Sequence, residues 1–250
     1  MCDLMAIQNK KSSDAVAIVS CMDWRLNFAI DGKISELKRE YGENITTYVF
    51  RNAGAGVKAF EGSIKDIARD YNLKALVIMP HNEGCKGMGL VFDALKNGVP
   101  ISSDMKSQLV DPFEKHAFSD TGELERINPK VQAEYARGFL DSSVDIISEL
   151  VDLKRVKIPE DGEHRIFIMK PGAVKYELSL DDKRGGAYVL QASSLNEVYP
   201  DLNVGVNVLK MRKVIFVTSS HEEARQVNTE IRIARMKLGN GVELSQVSTY

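Results

Sequence analysis

Ala15-Val16-Ala17-Ile18-Val19-Ser20 is a continuous apolar run of strand length, and Cys21 follows it directly. A short, branched apolar run of this kind predicts a strand that is buried on both faces. Two similar runs occur further along the chain, at Ile45–Phe50 and Ala75–Met79. Strands buried on both faces are typical of parallel sheets that are covered by helices. The three runs therefore predict an α/β fold with a mainly parallel sheet flanked by helices.

Segments with helical spacing separate the three predicted strands. Ile34, Leu37 and Tyr41 share one helical face, and Gly42 is placed to end that helix. Residues 61–71 and 88–96 show similar spacing after the second and third runs. Helices that connect parallel strands bring the carboxyl ends of those strands to one edge of the sheet, where ligands gather. We therefore expect the residues that follow each strand to meet at that edge.

The rest of the chain gives weaker patterns. Residues 103–151 predict mostly helix, with a break at 124–128, because Pro129 fits the start of a helix better than its interior. Residues 165–170 and 173–180 predict a pair of strands, and 213–218 with 222–237 predict a last strand and helix. The polar, glycine-rich stretch at 181–186 separates a first domain, 1–180, from a C-terminal α/β extension, 181–250. This extension either packs on the main sheet or forms a small appendix.

Composition sets mild limits on function. The chain has 250 residues, of which 44% are hydrophobic and 27% charged, and its net charge is −2. These values are typical of a globular protein and give no basis for a nucleic-acid partner. The sequence has no signal peptide and no apolar run of membrane-spanning length, which predicts a cytoplasmic protein with no membrane partner. Three cysteines are too few for a disulfide framework, so we expect free thiols.

Three residues after the predicted strands form a candidate metal-ligand set. Cys21 follows the first strand, and His81 and Cys85 follow the third. Thiolate and imidazole are preferred ligands of Zn²⁺. Three protein ligands, rather than four, leave a coordination position open for water, as in catalytic zinc sites. The sequence therefore predicts a zinc cofactor bound by Cys21, His81 and Cys85.

Asp23 and Arg25 lie beside the first ligand and are the candidate catalytic residues. Water bound to zinc has a pKa near 7 and supplies hydroxide at neutral pH. Asp23 can accept a hydrogen bond from that water, and Arg25 can hold Asp23 as a carboxylate. Alternatively, Asp23 binds the zinc directly and closes the site. The loop Arg51-Asn52-Ala53-Gly54 either approaches a small substrate or fixes the Cys21 loop in place.

Taken together, these motifs resemble the β-class carbonic anhydrases. The resemblance comprises Cys-x-Asp-x-Arg at 21–25, Arg-Asn-Ala-Gly at 51–54, Gly62-Ser63-Ile64 at the opening of a helix, and the strand followed by His81 and Cys85. It covers residues 15–95 and continues more loosely to about residue 180. It implies a β-carbonic-anhydrase-like zinc domain that reversibly hydrates carbon dioxide to bicarbonate. The resemblance implies that Cys21, His81 and Cys85 are the zinc ligands and that Asp23 and Arg25 form the catalytic dyad beside them. It also implies a homodimer or higher homo-oligomer.

One departure from the family pattern concerns the loop between the second and third ligands. The family places two residues between its histidine and cysteine, whereas this chain has three, Asn82-Glu83-Gly84. Gly84 can absorb the extra residue because glycine tolerates a positive φ. Otherwise, Glu83 replaces a ligand or the site is lost. Two alternatives to carbon dioxide hydration therefore stay open: hydrolysis of carbonyl sulfide or carbon disulfide, and a non-catalytic zinc-binding protein with an interaction role.

Overall fold

A computed structural model describes residues 13–154, 165–171, 187–207, 210–239 and 241–248. Within these residues the strands form a single sheet of eight. Their bounds are β1 (Asp14–Cys21), β2 (Thr46–Asn52), β3 (Asn72–Met79), β4 (Asp145–Ser148), β5 (Arg165–Met169), β6 (Ala187–Gln191), β7 (Lys213–Thr218) and β8 (Glu243–Ser248). The order across the sheet is β4-β3-β1-β2-β6-β5-β7-β8.

Helices flank this sheet and connect most of its strands. Their bounds are α1 (Asn27–Tyr41), α2 (Glu61–Asp70), α3 (Lys86–Lys96), the single turn α4 (Ser103–Met105), α5 (Thr121–Arg137), α6 (Leu195–Asn207) and α7 (His221–Leu238). The predicted α/β class, with a mainly parallel sheet flanked by helices, is confirmed. Among the described residues, none of the helices combines the length and apolar character that crossing a bilayer requires.

The sheet consists of two parallel halves that run in opposite directions. Strands β4, β3, β1 and β2 are parallel to one another, and so are β6, β5, β7 and β8. The halves meet where β2 pairs antiparallel with β6, through Arg51 and Gln191. Val189 also donates its N–H to the carbonyl of Met22 at 2.7 Å. The carboxyl ends of β1, β2 and β3 therefore share one edge of the sheet, and β6 is joined to that edge.

Strand β1, which ends at Cys21, is central to the first half-sheet. β1 pairs with β2 on one side and with β3 on the other, and every residue of β1 after Asp14 is buried. Its register places Cys21 opposite Asn52 and Ser20 opposite Met79. The three predicted strands and the common edge at their carboxyl ends are therefore confirmed.

The helices predicted after these strands are also present. α1 ends at Tyr41, and Gly42 follows with a φ of +106°, a conformation that glycine adopts at little cost. α2 and α3 lie where the periodicity placed them, although α3 begins two residues earlier than predicted.

The predicted break at Leu124–Asn128 is wrong. α5 runs without interruption from Thr121 to Arg137 and has Pro129 inside it. Its start is fixed upstream instead, where the Asp120 carboxylate accepts the N–H of Glu123 at 2.7 Å. Proline removes one backbone hydrogen bond from a helix. Burial of Leu124, Asn128 and their neighbours against the rest of the protein offsets that loss.

The helix predicted to continue to about residue 150 is also wrong in its second half. α5 ends at Arg137, and residues 145–148 form β4, which pairs with β3. Ile146 and Ile147 are β-branched residues that suit a strand, and β3 has an otherwise open edge on that side. Pairing with that edge outweighs the helical spacing of the surrounding residues.

The C-terminal half contains predicted and unpredicted elements. β5, β7 and α7 are present where the sequence predicted them, and β7 lies between β5 and β8 in the common sheet. No sequence pattern predicted β6, α6 or β8. The predicted strand at 173–180 and the boundary at 181–186 lie outside the described residues.

Candidate metal centre

The three predicted metal ligands come together at the carboxyl edge of the first half-sheet. Cys21 is the last residue of β1, His81 lies just beyond β3, and Cys85 directly precedes α3. The ligand atoms of these residues all lie within 4.8 Å of one another, and the two Sγ atoms are 3.9 Å apart. All three side chains are buried. This cluster can hold a metal ion.

The orientation of His81 supports this role. Its Nδ1 lies 2.7 Å from the carbonyl oxygen of Asn82, and because a carbonyl only accepts, Nδ1 carries the proton. In the neutral ring that would bind a metal, the lone pair is then on Nε2, which is buried and has no hydrogen-bond partner among the described residues. Buried polar atoms are seldom left without a partner. A hydrogen bond to the other ring nitrogen is also the usual way in which a ligating histidine is oriented.

The three ligand groups perturb one another's proton affinity because they are buried together. The hydrogen bond between the two sulfurs places the pKa of Cys21 well below its usual value and, together with burial, that of Cys85 well above it. Burial by itself would lower the pKa of His81, but the negative charge of Cys21 outweighs it and raises that pKa to about 9. Two sulfurs and an imidazole that compete for protons in this way form a donor set suited to a divalent cation.

Asp23 and Arg25 form a buried ion pair beside the cluster. Arg25 Nη2 donates to Asp23 Oδ2 at 2.7 Å, and Arg25 Nε lies 3.0 and 3.1 Å from the two carboxylate oxygens. Burial opposes ionisation of Asp23, but these hydrogen bonds outweigh it, so that the pKa of Asp23 is lowered. Asp23 Oδ2 is 3.8 Å from His81 Nε2, next to the cluster rather than part of it. Asp23 is therefore engaged by Arg25 and is not a fourth member of the cluster.

Arg51 fixes the backbone of the segment that carries the first ligand. This side chain is fully buried, and its guanidinium donates to the carbonyl oxygens of Cys21 at 3.1 Å and Asp23 at 2.7 Å. A third donor reaches Oδ1 of Asn27 at 2.5 Å. The sequence left two roles open for the 51–54 loop. These hydrogen bonds agree with the second role, in which the loop fixes the Cys21 segment.

The backbone of the same loop packs directly against α3. A Cβ on Gly87 would lie 2.6 Å from the backbone nitrogen of Gly54, so the two segments approach as closely as glycine permits. Gly54 itself has a φ of +69°. Asn128 donates to its carbonyl at 2.8 Å. The loop therefore ties the Cys21 segment to the helix that follows Cys85.

The extra residue between His81 and Cys85 is absorbed in the loop. Gly84 has a φ of +85°, as the sequence predicted, and Glu83 shares the change with a φ of +61°. The Glu83 side chain is exposed and is not a member of the cluster. Glu83 therefore does not replace Cys85 or His81 in the cluster, which was the alternative that the sequence left open.

Three residues near the centre were missed by the sequence analysis. Glu125 accepts N–H groups from the loop that ends in Cys85, Tyr188 pairs with Asp23 in a β-bridge, and Asp201 accepts the N–H of Ala53. The signal for Glu125 was present, because a continuous α5 places polar residues 125, 128 and 132 on one buried face. Tyr188 and Asp201 lie on β6 and α6, which carried no motif.

Comparison with known proteins adds no assignment to this geometry. Neither the models of known protein families nor the curated proteins give a match to the chain. What can be concluded about the cluster therefore rests on its own residues: two thiols and one imidazole, buried within ligand distance of one another, with an aspartate–arginine pair alongside.

Proposed function

We propose that the chain binds Zn²⁺ through Cys21, His81 and Cys85 and catalyses the reversible hydration of carbon dioxide to bicarbonate. The observation that carries the proposal is the convergence of these three buried ligand atoms beside the Asp23–Arg25 ion pair. Thiolate and imidazole favour zinc over hard cations such as Mg²⁺ and Ca²⁺, which prefer oxygen ligands.

The number of ligands favours a catalytic over a structural zinc site. Structural zinc sites close with four protein ligands, whereas catalytic sites have three and an open position. Among the described His, Cys, Asp and Glu side chains, the cluster comprises three residues. A zinc ion held in this way lowers the pKa of a bound water to about 7 and thereby supplies hydroxide.

Asp23 is the residue that would handle the proton of that water. Its Oδ2 faces the cluster 3.8 Å from His81 Nε2, and its carboxylate is kept ionised by Arg25. A carboxylate held in this way accepts a hydrogen bond but cannot donate one. Asp23 would therefore accept a hydrogen bond at the open position of the site, where the zinc ion would supply the hydroxide that attacks an electrophilic carbon. Arg25 holds the carboxylate in place through both oxygens.

Burial of the site favours a small substrate. Cys21, His81 and Cys85 are between 1 and 3% exposed, and Asp23 is 8% exposed. Carbon dioxide is small, linear and uncharged, and it loses little solvation when it enters such a site. The resemblance of the motifs to the β-class carbonic anhydrases supports the same substrate and a homodimer or higher homo-oligomer. Carbonyl sulfide and carbon disulfide share the electrophilic carbon and are the alternative substrates.

A non-catalytic zinc site is the second candidate, and the burial of the ligands favours it. Stopped-flow hydration of carbon dioxide, on protein whose zinc content is measured by mass spectrometry, separates the two candidates. We expect one zinc ion per chain and hydration well above the buffer rate. Zinc-loaded protein without hydration of carbon dioxide, carbonyl sulfide or carbon disulfide would establish the non-catalytic role, and protein that binds no zinc would refute both.

A further inference from the structure

Glu125 is a buried carboxylate that faces the metal centre from α5. It is 5% exposed, and its Oε1 accepts two backbone hydrogen bonds, from Gly84 at 3.0 Å and from Cys85 at 2.7 Å. It is not a member of the ligand cluster. Glu125 therefore acts on the site through the backbone that carries Cys85. After the hydrogen bond with Cys21 and burial, its negative charge also contributes to raising the pKa of the Cys85 thiol.

That backbone follows an uncommon path. Glu83 and Gly84 both have positive φ values. Cys85, the residue directly before α3, then has an extended conformation. A positive φ is strained for a residue other than glycine, and such strain persists only where surrounding contacts enforce it. The two N–H groups that Glu125 accepts come directly after Glu83. Asn82 is held from the other side by the carbonyl of Val151. Glu125 is thus the contact that holds the second half of the loop, at Gly84 and Cys85.

The position of the Cys85 sulfur depends on the same path. Cys85 Sγ lies 3.9 Å from Cys21 Sγ, a separation compatible with both sulfurs binding one ion. The backbone of Cys21 is held by a different residue, Arg51, which donates to its carbonyl at 3.1 Å. Since metal binding tolerates ligand displacements of only about 0.2 Å, release of the Cys85 backbone would disturb the site even though both sulfurs remain.

We propose that Glu125 is a positioning residue of the metal centre, whose carboxylate holds the His81–Cys85 loop in its metal-binding conformation. Its role is what makes a three-residue spacer between these ligands compatible with a single ion. The proposal rests on the metal-binding part of the proposed function and does not depend on the reaction.

The test is zinc affinity, measured by competition with a chromophoric chelator. We expect Glu125→Ala to weaken affinity about 10- to 100-fold, as is typical when a residue that orients a metal ligand is lost. Glu125→Gln keeps an acceptor oxygen at the same reach, so we expect a loss of less than about tenfold. Glu134→Ala is the matched control, because Glu134 lies on the same helix with its side chain 47% exposed. Its affinity should equal that of the wild type.

Cobalt substitution supplies a readout that a purely structural role would not change. The thiolate-to-cobalt charge-transfer absorption reports how many sulfurs bind the metal, and we expect it to fall in Glu125→Ala as Cys85 is displaced. A carboxylate that merely caps α3 would lower the melting temperature while leaving affinity and absorption unchanged, and that result would overturn the proposal. If Glu125→Ala does not fold, Glu125→Asp replaces it. The aspartate side chain is shorter and reaches the two N–H groups less well, so the Glu125→Asp protein should bind zinc more weakly than the Glu125→Gln protein. Wild-type affinity in Glu125→Asp would refute the proposal.

The two proposals fail in different ways. Zinc-loaded wild-type protein that does not hydrate carbon dioxide would end the proposed reaction, while the affinities of the Glu125 variants would still decide the role of Glu125. Wild-type protein that binds neither zinc nor cobalt would refute both.

Discussion

The carboxylate of Asp201 accepts a hydrogen bond from the backbone N–H of Ala53 at 2.8 Å. Asp201 lies on α6 in the C-terminal half of the chain, and Ala53 lies in the loop that packs between Cys21 and α3. This contact links the half of the chain without motifs to the loop beside the metal-ligand cluster. Asp201 is 3% exposed, and its burial raises the pKa of the carboxyl to about 7.

This raised pKa makes stability depend on pH. The pKa of Asp201 is about 7 in the folded protein against an ordinary value of 3.8, so between these values the folded state holds a proton that the unfolded state releases. Stability therefore falls as pH rises from about 4 to about 7, by up to about 4 kcal/mol at about 1.4 kcal/mol per pKa unit.

Asp201→Asn removes this dependence and keeps an oxygen for the Ala53 N–H. We expect the free energy of unfolding of the variant to exceed that of the wild type at pH 8 and the difference to shrink toward pH 4. Urea denaturation of both proteins across this range measures it. A difference that stays constant with pH would show that Asp201 does not titrate in this window.

Asp23→Asn should separate catalysis from metal binding. The amide keeps the size of the side chain but has lost the charge that Arg25 fixes, and loss of a group that handles a proton in a reaction typically lowers the rate 10²- to 10⁴-fold. We expect kcat for carbon dioxide hydration to fall in this range with one zinc ion per chain retained. Asp66→Asn, at an exposed ion pair on α2, is the control. Loss of zinc in Asp23→Asn would instead identify Asp23 as a ligand.

Two glycines of α3 should respond in opposite ways to alanine. At Gly87 the new Cβ would lie 2.6 Å from the Gly54 nitrogen and 2.9 Å from the Ala53 carbonyl carbon, both backbone atoms that cannot move independently. We expect Gly87→Ala to lower the free energy of unfolding by about 1–3 kcal/mol or more, and to weaken zinc binding.

Gly89 is the matched control, since a Cβ there meets nothing within 4 Å. Gly89→Ala should stabilise the protein by about 0.5–1 kcal/mol through helix propensity alone. Chemical denaturation measures both variants. Equal effects at the two positions would contradict the close packing of Gly87 on the 53–54 backbone.

Arg51→Lys should lower both the stability of the protein and its affinity for zinc, although it keeps the positive charge. A lysine cannot reproduce the planar fork that serves the carbonyls of Cys21 and Asp23 together, and each buried hydrogen bond from a charged donor that is lost costs about 1.5–3 kcal/mol. We expect a loss of several kcal/mol in stability together with weaker zinc binding. Arg69→Lys, at an exposed arginine, should change neither quantity. A stable Arg51→Lys with normal zinc affinity would show that the Cys21 segment is held by other contacts.

The sequence predicted the elements whose signals are local and strong. The apolar run ending at Cys21 reads as a buried strand, and the connection rules for parallel strands bring His81 and Cys85 to the same edge. The predictions failed where distant contacts decide the outcome. Pro129 lies inside α5 because the buried face of that helix offsets a missing hydrogen bond, and Ile146 lies in a strand because β3 offers an open edge.

Local sequence patterns did not predict the residues that support the site. Glu125, Tyr188 and Asp201 occupy positions whose partners are far away in the chain, and for Tyr188 and Asp201 nothing in the neighbouring sequence marks them. Glu125 would have been found only if the helix through Pro129 had been recognised first.

By itself, the sequence determined the α/β class, the central parallel strands and the three residues of the candidate metal-binding cluster, because periodicity and side-chain chemistry are properties of short segments. Only the tertiary structure decided that the C-terminal strands join the sheet in the opposite direction, that Arg25 engages Asp23, and that the longer loop still brings Cys85 to Cys21. These features depend on hydrogen bonds and packing between residues far apart in the chain, whose free energies no local segment encodes.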